Sequence, residues 1–356
     1  MTKIWANSAD SHVMEPADLW TSTLPPAIAD RAPRTERDDR TETIYVDNRI
    51  QRRALNAFVD SFRPPGAYDT AMRLKDLDQE GIWAQLAFPS MGLWLCLIED
   101  RDVARACTEV YNDWCKSELM DASGGRLIGA ACLSMVSVED AVAELERVAG
   151  LGFRCAFLPT TVPAGKEYAD ARWEPLWAAA EDAGVLLGFH IGTGDDAKAY
   201  RGRGGAVINY LETTFPGMRV VGHLVGAGVL DAHPNLKVMI AEGGASWVPA
   251  IADRMDEGYR QHGAFVKPKL SMLPSELIYR QVYTSFQHDR SAVAAVTAMH
   301  YRNVMWGDDY PHLEGTYGHT QETLHDLFDD VPADVREAIT IDVFSELLGA
   351  PKPPPT

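Results

Sequence analysis

Short apolar runs alternate along the chain with longer stretches in which apolar residues recur every three or four positions. Eight runs read as strands: Ile4–Asp10, Ile82–Phe88, Leu127–Leu133, Phe153–Leu158, Val185–His190, Lys237–Ala241, Val282–Phe286 and Asn303–Gly307. Helical patterns lie between most of them. The clearest covers Val138–Gly150, with Ala141, Val142, Leu145 and Val148 on one face. Another covers Trp173–Gly184 and stops at a glycine, the usual residue past a helix end. Eight strands alternating with helices predict parallel βα units closed into a (β/α)8 TIM barrel. Such barrels take about 250 residues. The 356 here leave room for insertions after strand 1 (Leu19–Thr70) and strand 5 (roughly Gly192–Pro216), which distort the barrel. The first is rich in Arg, Asp, Thr and Pro. A single domain is expected over residues 1–350, with a disordered tail at 351–356, PKPPPT.

Composition narrows the function classes. The chain is 46% hydrophobic and 24% charged, enough to build a core. It carries 51 acidic against 33 basic residues, a formal charge of −18. Phosphate contacts need clustered Lys and Arg, so nucleic acid and anionic membranes are excluded as partners. No apolar stretch reaches the ~18 residues of a membrane span. Met1–Asp10 lacks the basic and apolar regions of a signal peptide. Five scattered cysteines without a CxxC fit a reducing, cytoplasmic setting. No phosphate loop and no GxSxG motif occurs, so neither a nucleotide cofactor nor a serine hydrolase is implied.

Barrels of this kind act at the C-terminal ends of their strands. Four predicted strands end in His or carboxylate: Asp10 and His12, His190, Glu242, and Asp308–Asp309. Asp10 and His12 are two apart, which in a strand puts both on one face. With His190 and Asp309 they offer two imidazoles and two carboxylates to one divalent cation. That set suits Zn²⁺ best, with Mn²⁺ or Fe²⁺ as alternatives. Each residue also has a plainer reading. Asp10 sits in a turn-like SADS, His190 ends the apolar run LLGFH, and Asp309 precedes a proline turn.

These residues stand within longer matches: SADSHVMEPADLW (8–20), RLKDLDQEGIWAQLAFPS (73–90), GFHIGTG (188–194), GVLDAHPNLKVMIAEGGASWVP (228–249) and MWGDDYPHLEGT (305–316). On them the chain resembles the amidohydrolase superfamily, in its branch of aminocarboxymuconate-semialdehyde decarboxylase-like enzymes. The resemblance implies a distorted (β/α)8 barrel, one divalent metal, and a homodimer or higher homo-oligomer. It also implies hydrolysis or non-oxidative decarboxylation of a small aromatic or muconate-like acid. The family's strand-1 pair falls on Asp10 and His12, its strand-5 ligand on His190. Its strand-8 aspartate, directly before Tyr-Pro, falls on Asp309 rather than Asp308. One departure bears on the reaction: the family's decarboxylases carry a catalytic His at the end of strand 6, where this chain has Glu242. The expectation is therefore a hydrolase, with Asp309 as base and Glu242, His223 or His312 orienting the substrate. Glu314 and Trp247 would line its pocket. A carboxy-lyase on the same metal site is the alternative, and a catalytically decayed ligand-binding barrel is the third reading.

Overall fold

The structure is a computed structural model that describes residues 2–194 and 200–353. Its strands are β1 (Ala6–Ser8), β2 (His12–Val13), β3 (Arg34–Arg37), β4 (Thr41–Val46), β5 (Arg49–Leu55), β6 (Ile82–Pro89), β7 (Leu127–Cys132), β8 (Cys155–Pro159), β9 (Leu186–His190), β10 (Val238–Ala241), β11 (Val282–Phe286) and β12 (Val304–Trp306). Eight of them, in the order β1-β6-β7-β8-β9-β10-β11-β12, run parallel with helices between. This is the expected (β/α)8 barrel. Strands β7, β8, β9, β10 and β12 are buried along their whole length. Parallel strands covered on both faces read as continuous apolar runs, so the sequence displayed them.

The helix Val138–Gly150 falls where expected, and its Ser137 cap accepts a hydrogen bond from the Asp140 amide at 3.2 Å. The next opens as a 3₁₀ turn at Ala171–Trp173, continues over Glu174–Ala183 and ends on Gly184 at φ +63°. Only a residue without a Cβ takes that conformation at no cost.

The first strand departs from expectation. It stops at Ser8 and resumes as β2, which pairs with β6. Between them the backbone turns to the end of β12. Ala9 N donates to Trp306 O (2.9 Å), Asp309 N to Asp10 O (2.9 Å) and His12 N to Tyr310 O (2.6 Å). These bonds, with an isolated bridge between Ser11 and Tyr310, close the barrel where β1 and β12 share no regular ladder. Gly307 permits the approach, since a Cβ there would lie 2.7 Å from Asp10 Cβ.

The insertion after strand 1 holds more structure than its composition announces. Strands β3, β4 and β5 form a separate antiparallel sheet. The β4–β5 turn places Asp47 at φ +49° and Asn48 at φ +60°, the two positive angles of a tight hairpin. Buried Glu42 accepts two bonds from Arg63 (2.7 and 2.8 Å) and one from Arg52 (3.2 Å). In the second expected insertion, residues 195–199 lie outside the described residues. The helix Gly205–Glu212 there buries no side chain, and Pro216 already belongs to the helix Thr214–Gly226. Of the expected tail, 351–353 has no regular structure and 354–356 lies outside the described residues. Cys107, Cys115, Cys132 and Cys155 are buried thiols outside any disulfide. Among the described residues no helix is long and apolar enough to cross a membrane.

Candidate metal centre

Strand ends β1–β2, β9, β10 and β12 deliver Asp10, His12, His190, Glu242 and Asp309 to one place at the barrel mouth. Ligand atoms of Asp10, His12 and His190 lie within 4.8 Å of one another, as do those of His12, Asp309 and His312, and those of Asp10, Glu242 and Asp309. His190 Nε2 is 3.5 Å from Asp10 Oδ1 and 3.7 Å from Glu242 Oε2. His12 Nε2 is 3.5 Å from Asp309 Oδ1. At those distances the contacts satisfy neither partner.

Backbone carbonyls fix both imidazoles. His12 Nδ1 meets Pro89 O at 3.1 Å, and His190 Nδ1 meets Ile191 O at 2.9 Å. A carbonyl only accepts, so each Nδ1 carries a proton, and in the neutral ring each Nε2 turns its lone pair to the cluster. Gln287 Nε2 donates to Asp10 Oδ2 at 3.2 Å and leaves Oδ1 over. The atoms that result, Asp10 Oδ1, His12 Nε2, His190 Nε2 and both oxygens of Asp309, are buried without a hydrogen-bond partner. Unpaired buried polar atoms are costly and rare, and here they converge. A divalent cation accounts for all of them, so the donor set fits a metal.

The electrostatics agree. Burial first, then Asp309 and Asp10, push the Glu242 carboxyl well above its ordinary value, against the pull of His190. Burial, then Asp10, Glu314 and Asp308, do the same to Asp309. Carboxylates within 4.8 Å of one another repel by at least about 3 kcal/mol at an effective dielectric of about 20. Only protons or a cation relieve that. Burial, then His312 and His190, hold His12 well below the usual imidazole value, in the neutral form a metal needs. Burial lowers His190 too, but Asp10 and Glu242 outweigh it and raise the group.

Glu242 and Asp309 also share an unusual backbone, at φ +62° and φ +48°. For a residue with a Cβ this costs about 1–2 kcal/mol. Glu242 is held there by Ser285, whose Oγ accepts from its amide at 2.8 Å.

His312 lies just outside the cluster. Its Nδ1 is 3.0 Å from Asp309 Oδ1, and its ring stacks on His12 with centroids 4.0 Å apart. His312 and Glu314 both line a cavity of about 710 Å³ between the mouth and the insertion sheet. The other wall carries Arg37, Arg52 and Arg63 around Glu42, with Phe58, Phe62, Tyr68 and Trp94. Arg63 Nε is buried without a hydrogen-bond partner.

Two expected site residues are not brought in. His223 lies within the helix Thr214–Gly226, where Glu167 and Arg219 are its charged neighbours, and no described contact joins it to the cluster. Trp247 opens the helix Trp247–Gln261, packs on the core and donates its indole N–H to Gly243 O at 2.8 Å. That bond steadies the turn after Glu242 and does not line the cavity.

The sequence reading passed over Gln287 and Glu15. Glu15 accepts from the amides of Ser90 (3.1 Å), Met91 (2.8 Å) and Gly92 (2.9 Å), tying the loop after β6 to the end of β2. Its only signal was its place in SHVMEP, three residues past His12.

Fold and site together define a (β/α)8 barrel with a cluster of side chains at its mouth that could hold a metal ion. Residues 66–342 match the family profile described as Amidohydrolase, and the chain belongs to that family of metal-dependent enzymes. A 2-amino-3-carboxymuconate-6-semialdehyde decarboxylase of Dictyostelium discoideum is 26% identical over 251 residues, 68% of this chain and 67% of its own. Among solved structures, an amidohydrolase of Mycobacterium avium subsp. paratuberculosis K-10 superposes with TM-score 0.80 at 18% identity, covering 99% of each chain. The 5-carboxyvanillate decarboxylase of Sphingomonas paucimobilis gives 0.73 at 18%, over 98% of this chain and 99% of its own. A dihydroxybenzoic acid decarboxylase of Polaromonas sp. JS666, solved with bound manganese, gives 0.67 at 18%, over 97% of both.

Proposed function

We propose that the protein is a metal-dependent carboxy-lyase that removes CO₂ from an aromatic or muconate-like acid. This replaces the hydrolase expectation, which rested on Glu242 standing in place of a histidine. The observation that carries it is the pairing of a buried acid–metal cluster with an arginine-walled cavity. Arg37, Arg52 and Arg63 line that cavity; Glu42 binds Arg52 and Arg63, Asp60 holds Arg37, and Glu15 and Glu314 are the other carboxylates of the lining. The aromatic side chains beside them suit a flat, anionic ligand. The decarboxylases among the similar proteins point the same way.

Asp10, His12, His190 and Asp309 would hold the ion, with Glu242 in reach. Bound there, it would supply a Lewis acid that fixes and polarises the substrate's oxygens. The oxygen-rich donor set accepts Mn²⁺ as readily as the Zn²⁺ suggested by the sequence. The chain's residues do the rest. Arginines on the insertion wall orient the acid. Asp309 gives a proton to the ring carbon that bears the carboxylate, and His312, 3.0 Å away, positions that carboxyl. As the C–H bond forms, the C–C bond to the carboxylate breaks and its electron pair restores the conjugated system. CO₂ leaves, and solvent reprotonates Asp309.

The test is product analysis on Mn²⁺- and Zn²⁺-loaded protein with a panel of hydroxylated benzoic and dicarboxylic aromatic acids. CO₂ release that Asp309→Asn abolishes supports the reading. Turnover of amides or lactones without any CO₂ release would return the protein to the hydrolases.

A further inference from the structure

Three of the proposed ligands, Asp10, His12 and Asp309, lie on the one seam of the barrel that no regular ladder closes. Beneath that seam runs a buried chain of polar side chains that the reaction does not use. Asp308 faces away from Asp309 into this chain. Its Oδ1 accepts from Ser8 Oγ at 2.6 Å, and its two oxygens accept from Gln85 Nε2 at 2.9 and 2.8 Å. Its amide donates to Ser8 Oγ at 2.9 Å. Gln85 Oε1 in turn accepts from Arg73 Nε at 2.8 Å, and Arg73 Nη1 donates to His12 O at 2.7 Å. The guanidinium lies over the Tyr310 ring, 4.7 Å from its centroid, and Tyr310 OH donates to Asp76 Oδ2 at 2.7 Å. Ser8, Arg73, Gln85 and Asp308 are at most 1% exposed.

We infer that Gln85, through Asp308 and Arg73, is a positioning residue that sets the spacing between the Asp10–His12 pair and Asp309, and hence the affinity for the metal. Gln85 stands on β6, which belongs to neither ligand strand. Its amide holds the residue beside Asp309 with one end and, through Arg73, the His12 carbonyl with the other. Ser8, whose Oγ also reaches Asp10 O at 2.8 Å, already meets Asp308 across the seam; Gln85 ties that pair to Arg73 and so to the His12 carbonyl. The inference rests on the metal-centre reading above.

The bond has a polarity that can be reversed. Gln85→Glu keeps the oxygen facing Arg73 but turns the donor toward Asp308 into an acceptor, so two acceptors confront each other. Adding Asp308→Asn restores a donor–acceptor pair in the opposite sense, with an oxygen left for Ser8. The experiment is calorimetric titration of chelator-stripped protein with Mn²⁺ alone. Groups that orient a metal's ligands typically govern its affinity by about 10–100-fold. Gln85→Glu should weaken Mn²⁺ binding by that factor, and Gln85→Glu/Asp308→Asn should recover to within a few fold. Gln85→Met, which removes both bonds without burying a charge, is the companion variant and should weaken binding alike. Single variants that bind as wild type does, or a double variant no better than Gln85→Glu, overturn the inference while leaving the metal centre standing. A wild-type protein that takes up no Mn²⁺ overturns both.

Discussion

Asp309 combines a left-handed backbone with a carboxylate whose two oxygens lack hydrogen-bond partners. Asparagine tolerates that backbone and carries no charge into the crowd of acids. Asp309→Asn should therefore raise the stability of chelator-treated protein, by about 0.5–2 kcal/mol. It should also lower CO₂ release by at least about 100-fold. Denaturant titration and the product assay check the two halves. Asp309→Ala should lack the stability gain, because a Cβ-bearing residue at that φ without a polar side chain is strained. Legibility at this scale follows from the barrel's geometry. Asp10, His12, His190 and Asp309 could be read because strand ends are recognisable and converge. Glu15 could not, because its partners are backbone amides at 90–92. Gln287 partners Asp10, far off in sequence, and no local pattern announces it. His223 could not be placed from sequence, because a histidine in an apolar helix looks the same whether or not it reaches the mouth.

The elements were legible in proportion to their burial. The barrel strands are covered on both faces and appear as apolar runs. The insertion strands are not: RTER and RIQRRAL are charged, and only β4 places Ile44 and Val46 in the core. What joins this sheet is Glu42 with its arginines. Glu42→Gln should cost about 2 kcal/mol, the scale of a charged hydrogen-bond pair. It should open residues 34–55 to hydrogen exchange and raise KM for an acidic substrate more than it lowers kcat. A second tie is sensitive to pH. His233 meets Glu181 (2.9 Å) and Glu174 (2.8 Å), anchoring the helix Glu174–Ala183 to the turn before β10. Burial lowers the imidazole, but the two carboxylates outweigh it and hold it above 6.5. A group raised on folding contributes its full stability below its unfolded value and loses it as pH rises through the folded one. Urea unfolding should therefore show more of this contribution at pH 5.5 than at 8.5. His233→Gln should narrow the difference between the two.

For the whole molecule, the ion would act as a fastener. Asp10 and His12 lie on one side of the open seam and Asp309 on the other. A ligand that binds only the folded chain adds about 2.7 kcal/mol at 100 times its dissociation constant. Mn²⁺ should accordingly raise the melting temperature by several degrees, a chelator should reverse this, and Asp309→Asn should respond to neither. Scanning calorimetry with and without Mn²⁺ decides it. The same seam has a meaning outside the test tube. A barrel whose last join is a few backbone bonds that an ion would reinforce is, before loading, the form that quality-control proteases would meet first. Supply of the metal would then govern how long each chain survives as well as how fast it works. Cells starved of the ion would hold fewer copies of the protein, not merely idle ones.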